Sequence, residues 1–145
     1  MTPATRHRSA DAALGYAADR KGRGIAYAAI ATGTGTTVVR LPFNAPVAPD
    51  VEGRSPGFAA VASLGSYLRA RGFTRVRIRV PEDALVDDLN ARRDVPPALT
   101  MEYVKTRCIL HGFAAARVER AEPIETRDLE GRARADIVLR SPAAA

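Results

Sequence analysis

Carboxylates at the junction of a strand and a helix are the first candidates for chemistry in this sequence. The stretch TRVRIRVPEDALVDDLN, residues 74–90, starts as an alternating strand and ends as a helix, with Glu82 and Asp83 at the junction. Acids in the first turn of a helix are favoured by the helix dipole, by about 0.3–1 kcal/mol. Carboxylate oxygens are also the ligands that Mg²⁺ prefers. Helix capping and metal binding both remain open for this pair.

Basic residues follow the same strand at alternate positions. A row of like charges on one strand face, spaced about 6–7 Å apart, repels unless a polyanion or neighbouring carboxylates neutralise it. Glu119, in the segment RVER, would lie opposite the row if that segment pairs alongside. The row consists of Arg75, Arg77 and Arg79, with Val76, Ile78 and Val80 on the other face.

A second basic segment, RKGRG at 20–24, has the composition of a turn. Its cations, Arg20, Lys21 and Arg23, are candidates for contacts with phosphate, and a solvated hairpin tip is the alternative.

Charge and length limit the class of protein. The chain has 145 residues, a net charge of +6 and a pI near 10.2, and its basic residues are almost all arginine. This balance favours a polyanionic partner such as nucleic acid, although a high-GC genome also enriches arginine. The length fits one domain, expected at 9–140 between disordered tails at 1–8 and 141–145.

The single cysteine, Cys108, lies in an apolar helical pattern and is expected to be a buried structural thiol. One cysteine forms no internal disulfide, which is consistent with a reducing cytoplasm. No apolar run approaches the roughly 18 residues of a membrane span, and the N-terminus lacks the apolar core of a secretory signal. We therefore expect a cytoplasmic protein with no membrane contact.

Periodicity along the chain predicts the order β-β-β-α-β-α-α-β-α. Three strands form a meander: one within 8–19, then GIAYAAIA and TTVVRLPF, with TGTG as a turn. A helix over SPGFAAVASLGSYLRARG is capped by Ser55 and stopped by Gly72. EPIETRDLEGR is expected to be a loop, followed by a short final helix or turn in ARADIVLRS. This order predicts a mixed five-stranded sheet with helices packed on it.

The order and the local texture over residues 9 to 140 resemble the ribonuclease H-like family. GRGIAYAAIATG is similar to the family's second strand, residues 58–90 to its first helix, fourth strand and short helix, and RARADIVLR to its terminal helix. The resemblance implies an α/β fold and four carboxylates that hold two Mg²⁺ or Mn²⁺ ions for phosphodiester hydrolysis.

Carried over position by position, the resemblance assigns catalysis and metal binding to Asp11, Glu82 and Asp136, with Asp83 as an alternative ligand. If the first strand is instead centred on AALGYAAD, its middle is Gly15 and Tyr16 and holds no acid. The place of the second family acid, in the first turn of the first helix, is occupied by Gly57 or Phe58. A solvated helix acid is the alternative for Asp136.

Two functions follow from the resemblance. The first is a metal-dependent endonuclease that cuts the RNA strand of RNA–DNA hybrids, with weak activity because one acid is missing. The second is a ribonuclease H-like module without catalysis, which binds nucleic acid or another protein.

Overall fold

The computed structural model describes residues 8–45, 54–90 and 95–140. Its elements follow the predicted order, β-β-β-α-β-α-α-β-α. The strands are β1 (Ser9–Ala18), β2 (Arg23–Thr32), β3 (Gly35–Asn44), β4 (Arg75–Val80) and β5 (Ala115–Arg120). The helices are α1 (Arg54–Ala70), α2 (Asp83–Leu89), α3 (Thr100–His111) and α4 (Pro123–Arg140), with a 3-10 helix at Pro97–Leu99. Of the predicted tails at 1–8 and 141–145, only Arg8 lies within the described residues.

The strands form one mixed sheet in the order β3-β2-β1-β4-β5. β1, β2 and β3 pair antiparallel as a meander, whereas β4 and β5 lie parallel to β1 on the other side. The sheet is therefore antiparallel on one side and parallel on the other, as predicted. Two turns depend on glycine: Gly35 has a φ of 136° and Gly72 a φ of 84°, values that glycine adopts without a steric penalty.

Alternation along the strands sorts the side chains between two helical layers. Ala12, Leu14, Val76, Ile78 and Val80 enter a core shared with α1, and α3 packs on α1. The opposite face carries the alternate residues and is covered over β1 and β2 by α4. Full burial of one such aliphatic side chain contributes about 1.5–3 kcal/mol, so this pattern fixes which strand face meets which helix.

The terminal helix corrects the sequence prediction. The segment EPIETRDLEGR is not a loop: it is the first half of α4, which runs unbroken from Pro123 to Arg140. The backbone N–H of Glu122 donates to Glu125 Oε2 at 2.9 Å, and Pro123 suits the first helical turn. Leu129 and Ala133 are buried at helical spacing. Gly131 and few apolar residues weaken the sequence signal for this helix.

Two smaller predictions are also wrong. Cys108 lies on the exposed face of α3 rather than in the core. Ser55 is not the cap of α1, because the helix already includes Arg54 and Ser55 is buried in its first turn. The apolar pattern around Cys108 does not specify which side of α3 the rest of the chain covers. The residue types at the start of α1 do not specify the residue at which the helix begins.

No helix among the described residues is long and apolar enough to cross a lipid bilayer.

Candidate functional site

Glu82 forms a contact that the sequence did not predict. It directly precedes α2, and its side chain makes no capping hydrogen bond to that helix. Instead the hydroxyl of Tyr16, in the second half of β1, donates to Glu82 Oε1. The two residues are 66 positions apart in the chain, so this bond joins the middle of the sheet to the start of α2.

Burial sets the proton affinities of this pair. It raises the pKa of Glu82, while the hydrogen bond from Tyr16 and the charge of Arg54 oppose that rise. Burial also raises the pKa of Tyr16 above its usual range, and the negative charge of Glu82 adds to the effect. Tyr16 therefore keeps its proton at neutral pH and remains a hydrogen-bond donor to Glu82.

Two glycines hold the helices close to this pair. A Cβ atom on Gly57, in the first turn of α1, would lie 2.9 Å from the Tyr16 hydroxyl oxygen. A Cβ atom on Gly15 would lie 2.6 Å from the backbone nitrogen of Glu130 in α4. β1 thus lies close against α4 at Gly15 and against α1 at Gly57, and Gly57 is one of the two positions at which the resemblance implies a helix acid.

Asp11 lies near the start of β1, and two arginines of β4 bind it. Arg79 Nε donates to Asp11 Oδ1 at 3.0 Å, and Arg77 Nη1 donates to Asp11 Oδ2 at 3.2 Å. Arg77 also donates to Glu119 at 2.6 Å, a hydrogen bond that raises the pKa of Arg77. Arg79 forms a further ion pair with Glu125. Neighbouring carboxylates, the second of the two predicted alternatives, therefore neutralise these two members of the arginine row.

Asp136 joins α4 to the outer strands of the sheet. Arg40 Nε, from β3, donates to Asp136 Oδ2 at 2.5 Å, and the Tyr27 hydroxyl, from β2, donates to the same oxygen at 2.8 Å. These hydrogen bonds raise the pKa of both Arg40 and Tyr27. The Asp136 side chain is 15% exposed, so it is not a solvated helix acid. Asp83, by contrast, is largely exposed and pairs with Arg120 at 3.0 Å.

The predicted metal ligands are thus held by different partners in different places. Within residues 8–45, 54–90 and 95–140, no three His, Cys, Asp or Glu side chains are grouped so that they could bind one metal ion. Asp11 and Asp136 each already accept hydrogen bonds from arginine, which neutralises the charge that a cation would need. The arrangement of donors therefore does not fit Mg²⁺ or Mn²⁺ bound jointly by Asp11, Glu82 and Asp136.

Sequence reasoning missed Arg54 and Glu130. Glu130, in α4, acts electrostatically on both Tyr16 and Glu82. Arg54, at the start of α1, forms an ion pair with the fully buried side chain of Asp88 in α2. Neither residue belongs to a local motif, and only the packing of α1, α2 and α4 around β1 brings them near Glu82.

The predicted basic residues lie at opposite ends of the sheet. Arg20, Lys21 and Arg23 lie at the exposed β1–β2 turn, where Asp19 Oδ1 accepts the backbone N–H groups of residues 21 and 23, both at 2.9 Å. Arg75, at the start of β4, is exposed and forms no ion pair with any described residue.

Three solved structures are similar to this chain over most of their length. The N-terminal ribonuclease H domain of a Mycobacterium tuberculosis protein matches with a TM-score of 0.69 at 13% identity, covering 95% of this chain and 99% of that one. Ribonuclease H1 from Halobacterium salinarum matches with a TM-score of 0.61 at 20% identity, covering 88% and 92%. A ribonuclease H1 isolated from compost, solved in complex with an RNA/DNA hybrid, matches with a TM-score of 0.60 at 14% identity, covering 87% of this chain and 91% of that one.

No protein-family profile and no curated protein matches the sequence. The strand order and these structural likenesses establish that the chain has the ribonuclease H-like fold.

Proposed function

We propose that this protein is a ribonuclease H-fold module that binds nucleic acid, an RNA–DNA hybrid in the first instance, without hydrolysing it. The observation that carries the proposal is that Asp11 and Asp136 are bound by arginines of the same chain. A divalent ion that binds such a carboxylate competes with the arginine for its negative charge. The contact of Gly57 with Tyr16 leaves little room for the acid that the resemblance implies in the first turn of α1.

Two features support nucleic acid as the partner. The chain carries a net charge of +6, mostly through arginine, whose planar guanidinium binds phosphate in a bidentate manner. A protein of the same fold has been solved in complex with an RNA/DNA hybrid.

A weak metal-dependent ribonuclease is the second candidate, and Glu82 is the observation that favours it. Its pKa is raised by burial and, in part, by the charge of Glu130. Two acids that influence each other are a start towards a site for Mg²⁺ or Mn²⁺. They nevertheless fall short of the four carboxylates that the family resemblance implies.

One experiment separates the two candidates. The full chain is titrated into a labelled RNA–DNA hybrid without metal, and the same mixture is then supplied with Mg²⁺ or Mn²⁺. We expect binding that weakens steeply between about 50 and 200 mM salt, and no cleavage. Cleavage that disappears in Glu82→Gln would establish the ribonuclease instead. Absence of hybrid binding would refute the proposal that the protein is a nucleic-acid-binding module.

A further inference from the structure

Four chain segments meet at the end of the sheet where β1, β4 and β5 begin. They are residues 8–11, 30–37, 68–77 and 109–117, and the strand registers place them side by side: Ser9 pairs with Arg75, which pairs with Ala115. α1 and α3 end here, whereas α2 and α4 begin at the opposite end of the sheet.

This end concentrates positive charge. The only acid in the four segments is Asp11, and it is already bound to Arg77 and Arg79. Arg75 and Arg117 make no ion pair with any described residue. We call this surface the arginine end, and its members, all exposed, are Arg8, Arg69, Arg71, Arg75, Arg77 and Arg117.

The opposite end of the sheet mixes basic and acidic residues, since the exposed Arg20, Lys21 and Arg23 of the β1–β2 turn lie there together with the first turns of α2 and α4. Arg120 pairs there with Asp83, and Arg54 pairs with Asp88. The two helix C-termini at the arginine end contribute only about half a negative charge each. Among the described residues, six exposed arginines against the single Asp11 give the arginine end a large excess of positive charge, away from Glu82.

On the α1 face, the arginine end contains a groove of about 570 Å³. Arg8 and Arg71 line it, and both guanidinium groups lie over aromatic rings, at 4.6 Å from the Phe73 centroid and 5.0 Å from the Tyr67 centroid. Arg8 Nη1 also donates to the backbone oxygen of Arg71 at 2.5 Å. Both arginines are therefore held in place before any ligand arrives.

On the other face, α4 leaves the start of β4 and β5 uncovered. A shallow groove of about 460 Å³ is lined there by Arg75, Arg77 and Arg117. Arg77 and Arg117 are register partners on adjacent strands, and of the two only Arg77 has carboxylate partners among the described residues, Asp11 and Glu119. Thr32 lines both grooves, which therefore adjoin each other at the end of β2.

We propose that the arginine end, and not the β1–β2 turn, binds the phosphodiester backbone of nucleic acid. The inference rests on the proposed function and specifies its surface. A phosphate chain supplies the negative charge that Arg75 and Arg117 lack. An acidic protein would satisfy the same charge, so the experiment includes one.

Two triple variants of equal charge change test the surface. The first is Arg71→Ala with Arg75→Ala and Arg117→Ala. The second is Arg20→Ala with Lys21→Ala and Arg23→Ala, which should keep the fold because Asp19 holds this turn through backbone N–H groups. Binding of a labelled RNA–DNA hybrid is followed by fluorescence anisotropy across salt, and thermal unfolding confirms that each variant is folded.

The arginine-end variant should bind at least about tenfold more weakly at about 100 mM salt, with a salt slope about 2.7 smaller, from about 0.9 per lost contact. The turn variant should change affinity less than about threefold. Equal losses in both variants, or a loss confined to the turn variant, would overturn this inference and leave the proposed function standing. Lack of binding by the unchanged protein would refute both. Equal affinity for polyglutamate would assign the surface to acidic proteins and overturn it.

Discussion

A substitution at Gly15 tests the close packing of β1 against α4 most directly. In Gly15→Ala the new methyl group would lie 2.6 Å from the Glu130 backbone nitrogen and 2.7 Å from Leu129 Cβ. These are atoms of a helix backbone and its first side-chain carbon, so α4 itself must move. Forcing a methyl group into such a contact costs about 1–3 kcal/mol. The gain from replacing a strand glycine, about 0.5–1 kcal/mol, offsets only part of that cost.

The matched control is Gly131→Ala in the same helix, where a methyl group meets nothing within 4 Å. Relief of the glycine penalty in a helix should stabilise that variant by about 0.5–1 kcal/mol. Urea unfolding of the unchanged chain and both variants gives the comparison. We expect Gly15→Ala to lose about 0.5–2 kcal/mol, the difference between the corresponding ends of the two ranges. A Gly15→Ala protein as stable as the unchanged chain would refute the claim that β1 and α4 touch here without room for a side chain.

The other predictions concern an acid, an ion pair and a thiol. Because burial raises the pKa of Glu82 on folding, its contribution to stability is complete below its unfolded pKa, about 4.5, and is lost as pH rises through the folded pKa. Glu82→Gln should remove that part of the pH dependence in urea titrations, and an unchanged profile would contradict the burial argument. Arg54→Ala should cost at least about 1–3 kcal/mol because Asp88 is fully buried, whereas Arg132→Ala, in an exposed pair, should cost at most about 0.5 kcal/mol. Cys108 should react with a thiol reagent in the native protein as fast as in urea, and strong protection would contradict its exposed position.

The strands and their faces could be predicted because their information is local. Alternation places Val76, Ile78 and Val80 in the core, and the structure confirms it. The full length of α4 could not be predicted, because its buried face consists of residues such as Thr126, Leu129 and Ala133, which give little hydrophobic periodicity. Its position against the sheet depends instead on the absence of a side chain at Gly15.

The candidate site was predictable only in part. Glu82 was found because a strand end followed by a helix start is visible in sequence, but its partner Tyr16 depends on how β1 aligns with β4. The alternative centred on Gly15 and Tyr16 is the one that the strand boundaries favour, since β1 extends from Ser9 to Ala18. The partners of Asp11 and Asp136 come from strand pairing and from α4, which no local pattern specifies.

The central claim is that Asp11, Glu82 and Asp136 are each committed to partners within the chain and do not share a cation. Paramagnetic broadening of backbone amide signals by Mn²⁺ tests it without reference to activity. We predict that substoichiometric Mn²⁺ produces no common site of broadening that includes all three residues. Simultaneous loss of the signals around Asp11, Glu82 and Asp136, reversed by Mg²⁺, would contradict the account.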